Sequence, residues 1–253
     1  MVLEGSTLEI SLRRQELRLD LLDKKGNPVL SSAAAWEPHL IDGVESYTLL
    51  MIWPGIRALF RDLAEAWRRE FGSALEEVGQ MAVRGMEGGY MPFDPRLTLL
   101  TTYRGAWDKA AEAAAELSEA LGTEVDPRGG VAHLWQALRS GEAYLPYVDY
   151  VTSLPGYVHW RLTGRRVLDR AGAGVLFPLD GEGRYDARLL KKFDQLAAGR
   201  LPKPLIDLLP EPLGPGAEAG SLQREALRML DPSGDFRDGI PFLPPAEETT
   251  KAR

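Results

Sequence analysis

The chain predicts a mixed α/β domain that opens on an antiparallel meander, and three observations predict it. Leu8, Ile10 and Leu12 alternate with polar residues, and Leu17, Leu19 and Leu21 do so again after a short polar break. Period two on both sides of a break is the mark of a β-hairpin with one buried face, here with Arg13-Arg14-Gln15 as its tip. Pro28-Val29-Leu30 follows the turn-forming Lys25-Gly26-Asn27 and supplies a third strand. Leu49–Phe71 then changes to helical spacing, with Ile52, Ile56, Leu59, Phe60, Leu63 and Trp67 on one stripe.

The remaining elements follow in order. Residues 31–47 are polar, contain Trp36, Pro38 and Gly43, and read as an excursion. The long helix starts near Ser46 or Thr48 and stops before Gly72, and its tryptophans are read as core. Residues 76–84, 90–93 and 97–102 read as strands of a second sheet segment. An Ala- and Glu-rich helix covers 107–121, with Gly122 suited to follow its last turn. A short helix spans 131–139 and ends at Ser140-Gly141. Another spans 148–162, and Pro155 should kink or divide it. Residues 167–179 are apolar and Gly-rich, suiting a loop close to other backbone. Residues 185–196 are helical, the five-proline stretch 201–216 is irregular, and 221–230 is a last short helix capped by Ser221. A strand at 240–243 lies between prolines, and the polar tail 246–253 is expected to fray.

Composition bounds the function. The 253 residues can bury a real core, and no internal repeat or low-complexity linker divides them, so one domain over 1–253 is expected. Net charge is −7 with Lys and Arg scattered, which leaves no nucleic-acid footprint. With no cysteine there are no disulfides or thiolate metal sites, in keeping with a cytoplasmic location. There is no basic-then-apolar leader and no apolar run near the ~18 residues of a membrane span, so no membrane partner is expected. The three histidines, His39, His133 and His159, are far apart, and no metal site is expected. His133 and His159 read as helix-packing residues.

Several stretches together resemble the first domain of FGGY-type carbohydrate kinases. They are Val131-Ala132-His133-Leu134-Trp135-Gln136, the run Val151-Thr152-Ser153-Leu154-Pro155-Gly156-Tyr157-Val158-His159-Trp160-Arg161-Leu162-Thr163-Gly164, and Phe177-Pro178-Leu179-Asp180. Asp231-Pro232-Ser233-Gly234 followed by Gly239-Ile240-Pro241 fits the close of that domain. The resemblance implies an actin-like, ribonuclease-H-like fold: a mixed five-stranded sheet, its first three strands antiparallel, flanked by helices. It also implies ATP-dependent phosphorylation of sugars such as ribulose, xylulose and rhamnulose. Sugar would bind mostly to this domain and ATP to a second domain, which is expected to be absent here.

Position by position, the resemblance implies lost chemistry. The family's first hairpin tip carries an acid, then Gly with Ser or Thr, because glycine admits phosphate to the backbone amides. Here the acid position is Ser11, and the tip holds Arg13, Arg14 and Gln15. Guanidinium suits an anion, but an exposed polar tip is the plainer reading. Glu4-Gly5-Ser6-Thr7 has the right letters but precedes the first strand instead of joining two. The sugar strand's end, like Ser-Gly-Gln-Met-His-Gly in the family, is Arg84-Gly85-Met86-Glu87-Gly88-Gly89, where Glu87 could accept sugar hydroxyls. Tyr103 and Arg104 match a further sugar motif whose acid or amide is Gly105, and Gly172-Ala173-Gly174 lacks the polar atoms of another. The proton-accepting carboxylate that phosphoryl transfer wants has Glu247 and Glu248 as candidates, without the Gly-rich loop that should follow.

The implied function is therefore a homologue of the kinase first domain, inactive alone, with a sugar-binding or regulatory role. Two alternatives stand beside it: the sugar-binding subunit of a split kinase, and a non-enzymatic assembly protein using the face a second domain would cover. Mg-ATP would be bound only with a second domain supplied. Partners implied are a ketose, a separately encoded ATP-binding domain or kinase paralogue, and further copies of the chain.

Overall fold

Alternation decides the sheet. The computed structural model describes residues 2–75, 77–86, 88–105, 108, 110–231, 234 and 236–248. Strands β1 (Val2–Leu12), β2 (Glu16–Leu22) and β3 (Pro28–Ala35) form the antiparallel meander. Its register sets Leu8 against Leu21, Ile10 against Leu19 and Leu12 against Leu17, so all six leucine and isoleucine side chains share one buried face. Burying such a side chain is worth about 2 kcal/mol. β3 runs to Ala35, longer than its apolar start predicts. The stretch expected as an excursion therefore begins as strand, and then makes a small hairpin of β4 (His39–Ile41) and β5 (Val44–Ser46).

Helix α1 (Leu49–Phe71) lies on the leucine face with the predicted stripe inward. Thr48 precedes it and Gly72, at φ 69°, turns the chain out of it, with its N–H on the Arg68 carbonyl. Gly55 leaves room for the sheet, since a Cβ there would stand 2.6 Å from Leu17 Cδ1. Strand β6 (Glu77–Met86) returns parallel to β1. It joins the first sheet, not the separate segment expected for it.

A helical layer follows. β7 (Met91–Phe93) is continued by no strand at 97–102, which makes a single bridge, Leu99 with Phe93. α2 (Ala111–Leu121) begins later than expected, and Gly122 ends it as predicted. α3 (Gly130–Ser140) is closed by Gly141. The expected helix at 148–162 is two elements. β8 (Tyr150–Thr152) pairs with β7, and α4 (Leu154–Thr163) carries Pro155 in its first turn, where a missing N–H costs no hydrogen bond. The glycine-rich run at 167–179 is β9 (Val167–Asp169) and α5 (Arg170–Leu176) instead of a loop. α6 (Ala187–Ala197) is capped by Asp186, which accepts from the N–H groups of Arg188 and Leu189. Inside the proline-rich stretch, β10 (Glu211–Leu213) pairs with β9. α2, α3, α5 and α6 enclose a second core around Leu117, Leu134, Leu176, Phe177 and Phe193.

The chain then returns to the sheet. α7 (Arg224–Leu230) starts after Gln223, and Ser221 bridges Pro241 instead of capping. Residues 241–243 run beside Met81, whose N–H meets the Pro241 carbonyl. Pro244-Pro245 lack the N–H groups to continue, and β11 (Ala246–Glu248) resumes the pairing, parallel to β6. The first three residues of the tail expected to fray, 246–248, are thus the fifth strand, and the rest of it lies outside the described residues. Sheet order is β11-β6-β1-β2-β3, the mixed five-stranded, actin-like and ribonuclease-H-like arrangement. Glu4-Gly5-Ser6-Thr7 lies within β1, where Gly5 has φ 74° and the register slips, instead of before it. Among the described residues no helix is long and apolar enough to cross a membrane.

Candidate functional site

Because β1, β6 and β11 are parallel, their C-terminal ends meet at one edge of the sheet, where open α/β sheets place ligands. The hairpin tip stands at one end of that edge. Arg13 N–H closes it on the Glu16 carbonyl at 2.9 Å. The Arg13 guanidinium reaches Glu16 at 3.4 Å, and Arg14 Nη2 reaches both Glu45 oxygens at 2.6 and 2.9 Å. The tip carbonyls are also engaged. Arg14 O accepts the Tyr47 hydroxyl, Arg13 O the Trp36 indole N–H, and Gln15 O the Trp36 backbone N–H. Trp36 and Tyr47 stack at 4.1 Å and 8°. Burial, then the Glu45 charge, pushes the Tyr47 phenol up to about 12.

This donor set does not suit a magnesium-bound nucleotide. Residues 11–15 hold no glycine and no carboxylate. Ser11, at the expected acid position, is buried. The carboxylates bonded to the tip, Glu16 and Glu45, meet guanidinium groups.

The other end is built by glycines and a carboxylate. Gly85 lets α4 approach, since a Cβ there would lie 3.0 Å from Pro155. Gly88 and Gly89, at φ 78° and 103°, then curl the chain away from β6. A Cβ on Gly88 would lie 2.7 Å from the Arg128 carbonyl, and one on Gly89 2.9 Å from the Arg104 carbonyl. Only glycine tolerates both the angle and the space. The curl aims the Gly88 N–H at Glu247 Oε2, 2.8 Å away on β11. Asp169 and Glu247 both border Gly172: a Cβ there would be 3.1 Å from Asp169 Oδ1 and 3.3 Å from Glu247 Cδ. Asp169 accepts the Gly172 N–H at 2.9 Å. Burial raises its carboxyl above the usual range, against that hydrogen bond and the nearby Arg84 charge. Arg84 itself pairs with Glu9 at 2.6 Å. Tyr103 is buried, and its phenol is pushed up by burial first, then by Glu247 and Tyr47. Its hydroxyl borders the glycine turn, 3.3 Å from where a Cβ on Gly89 would stand.

The structure therefore brings Arg13, Arg14, Gln15, Tyr103 and Glu247 to one edge. Arg104 turns elsewhere. It pairs with Asp108 at 3.2 Å and lines a small polar cavity of about 70 Å³ with Tyr90, His133 and Tyr144. Glu248 holds β11 to Met86 through its backbone. Glu87 lies outside the described residues. Sequence reasoning missed Asp169, whose signal was an Asp three residues before a glycine at a helix start, and the strap of Trp36, Glu45 and Tyr47. His133 and His159 pack as expected. His133 Nε2 meets the Asp108 carbonyl and His159 Nε2 the Ala219 carbonyl. Among the described residues no group of three or more His, Asp or Glu could hold a metal ion.

No family model and no curated protein matches the sequence. Solved structures match the fold. Xylulose kinase from Rhodospirillum rubrum aligns with TM-score 0.74 and 18% identity over 96% of this chain and 49% of its own. Gluconate kinase from Lactobacillus acidophilus gives 0.72 and 16% over 96% and 48%. Glycerol kinase from Plasmodium falciparum, solved with ADP, gives 0.70 and 14% over 98% and 49%. At these identities the likeness is one of fold. The chain spans about half the length of these kinases.

Proposed function

We propose that this chain is a domain of the FGGY sugar-kinase type that holds a sugar or polyol beside Glu247, Tyr103 and the Gly88-Gly89 turn. By itself it transfers no phosphate. One observation carries the reading: the two ends of the strand edge differ, with a carboxylate on a glycine turn at one and ion-paired arginines at the other. A carboxylate accepts hydroxyl hydrogen bonds, and Tyr103 adds a phenol beside the Gly88-Gly89 turn. Mg-ATP would have to be brought by another domain, in a partner chain or elsewhere in the same polypeptide. The half-length match to whole kinases supports that second reading, of a sugar-binding half that needs a complement. A paralogous kinase or further copies of the chain are alternative partners, and a cytoplasmic setting suits all of them.

Calorimetry of the chain with xylulose, ribulose, xylitol and glycerol, and separately with Mg-ATP, tests this. We expect a sugar or polyol to bind, Glu247→Ala to weaken binding about tenfold, the value of one charge-assisted hydrogen bond, and Mg-ATP to give no heat. ATP hydrolysis or tight Mg-ATP binding by the chain alone would overturn the non-catalytic reading. Silence from every sugar would turn the assignment toward an assembly role.

A further inference from the structure

The opposite edge of the sheet carries a different signal. β3 is the last strand of the order β11-β6-β1-β2-β3, and among the described residues nothing pairs with its outer side. The hydrogen-bond pattern shows which groups face out. Arg13 and Glu16 bond across the hairpin turn, so Glu16, Arg18 and Asp20 direct their backbone groups to β1. Leu17, Leu19 and Leu21 then direct theirs to β3, where their partners are Ala34, Ser32 and Leu30. The N–H and C=O groups of Ser31, Ala33 and Ala35 are left pointing outward, and the side chains of these three residues are exposed.

Monomeric proteins usually blunt such an edge with lysine, proline, a bulge or inward charge. β3 has no charged residue in its eight positions, and its one proline and its one register irregularity, opposite Leu21-Leu22, lie at its start, where they block nothing further along. The flanks do carry charge, and they differ in sign. Exposed Lys24 and Lys25 precede the strand, and exposed Glu37 follows it. A strand that is neutral and small along its length, basic before its start and acidic after its end, is complementary to itself when antiparallel. Parallel pairing would set lysine beside lysine.

We infer that the β3 edge is a docking surface for a second copy of this chain, which pairs β3 with β3 antiparallel about a two-fold axis through Ala33. In that register Ala33 faces the second copy's Ala33, and Ser31 faces its Ala35. About six main-chain hydrogen bonds form. Each pair of lysines comes to the end of the interface where the other copy's Glu37 stands. The two five-stranded sheets become one continuous ten-stranded sheet. This interface lies on the edge away from β11, so ligand binding at the opposite strand ends is not needed for it.

The absence of cysteine makes the test clean. The full chain should show a monomer–dimer equilibrium in sedimentation. Ala33→Lys should weaken it at least about tenfold by setting like charges across the axis, with the circular dichroism of the monomer unchanged because the side chain is exposed there. Ala33→Cys should give an oxidised covalent dimer, because a hydrogen-bonded antiparallel pair brings Cα atoms to about 5.5 Å. Val29→Cys, far from its own symmetry mate, should not. Replacing both lysines by Glu should weaken the dimer, and adding Glu37→Lys should restore it. A chain that stays monomeric at all concentrations, or a dimer that Ala33→Lys leaves intact, overturns the proposal. So does a monomer that takes up only another protein's strand at this edge.

Discussion

The two ends of the candidate site are made of opposite materials. At the β6–β11 end the backbone makes the geometry: two consecutive left-handed glycines fix where the Gly88 N–H points, and a side-chain carboxylate answers it. At the hairpin tip side chains do the work, and the backbone carbonyls are tied down by Trp36 and Tyr47. Geometry set by backbone strain and close approach has few substitutes, whereas exposed ion pairs are readily replaced. The Gly88-Gly89 turn should therefore be intolerant of substitution, and the hairpin tip tolerant.

Substitutions sharpen that contrast in order of size. Gly88→Ala places a Cβ at 2.7 Å from a carbonyl oxygen in a left-handed conformation. It should cost about 3 kcal/mol or more in urea unfolding; a cost below about 1 kcal/mol would show that the turn can relax. Acid should come next, acting on the scaffold beneath both ends. Burial lowers the His159 imidazole from 6.5 to about 4 in the folded chain, opposed by its bond to Ala219. The unfolded chain thus binds this proton more readily. The histidine's contribution is complete above about pH 6.5 and is lost as pH falls toward 4, on the order of 3 kcal/mol. His159→Leu should flatten that slope between pH 7 and 4.5. Asp169 works in the opposite sense, because burial raises its folded pKa, so it favours folding as pH falls.

Smaller effects separate the two ends directly. Tyr47→Phe removes the hydroxyl that holds the Arg14 carbonyl. About 1 kcal/mol in thermal unfolding is expected, and no change would mean that the strap is held by stacking alone. Arg14→Ala breaks an ion pair whose arginine side chain is 54% exposed. It should stay within about 0.5 kcal/mol. A loss comparable to that of Gly88→Ala would erase the distinction between the ends.

Sequence alone carried the meander and α1 because both rest on periodicity over many residues and on local stop signals such as Gly72. It carried the tip residues because a hairpin fixes its own apex. β11 was illegible. Three residues after two prolines give no period, and its strand state comes only from Arg84, Gly85 and Met86 beside it. β8 was hidden in an apolar run that reads equally well as helix. The strap on the tip was hidden for another reason: Trp36 to Arg13 and Tyr47 to Arg14 are contacts between residues 23 and 33 positions apart. Asp169 was passed over because the glycines after it were weighed for side-chain polarity, while the structure uses a glycine N–H.

The interruption at Pro244-Pro245 has a dynamic consequence. Neither residue can carry an amide proton, so the last strand is joined to the sheet in two short lengths, one beside Met81 and one at Ala246–Glu248. The outer length can open without disturbing the inner one. Its amides should exchange with solvent at a lower opening free energy than those of β1 or β6. Glu247 travels with it, so the bond between its carboxylate and the Gly88 N–H opens with the outer length.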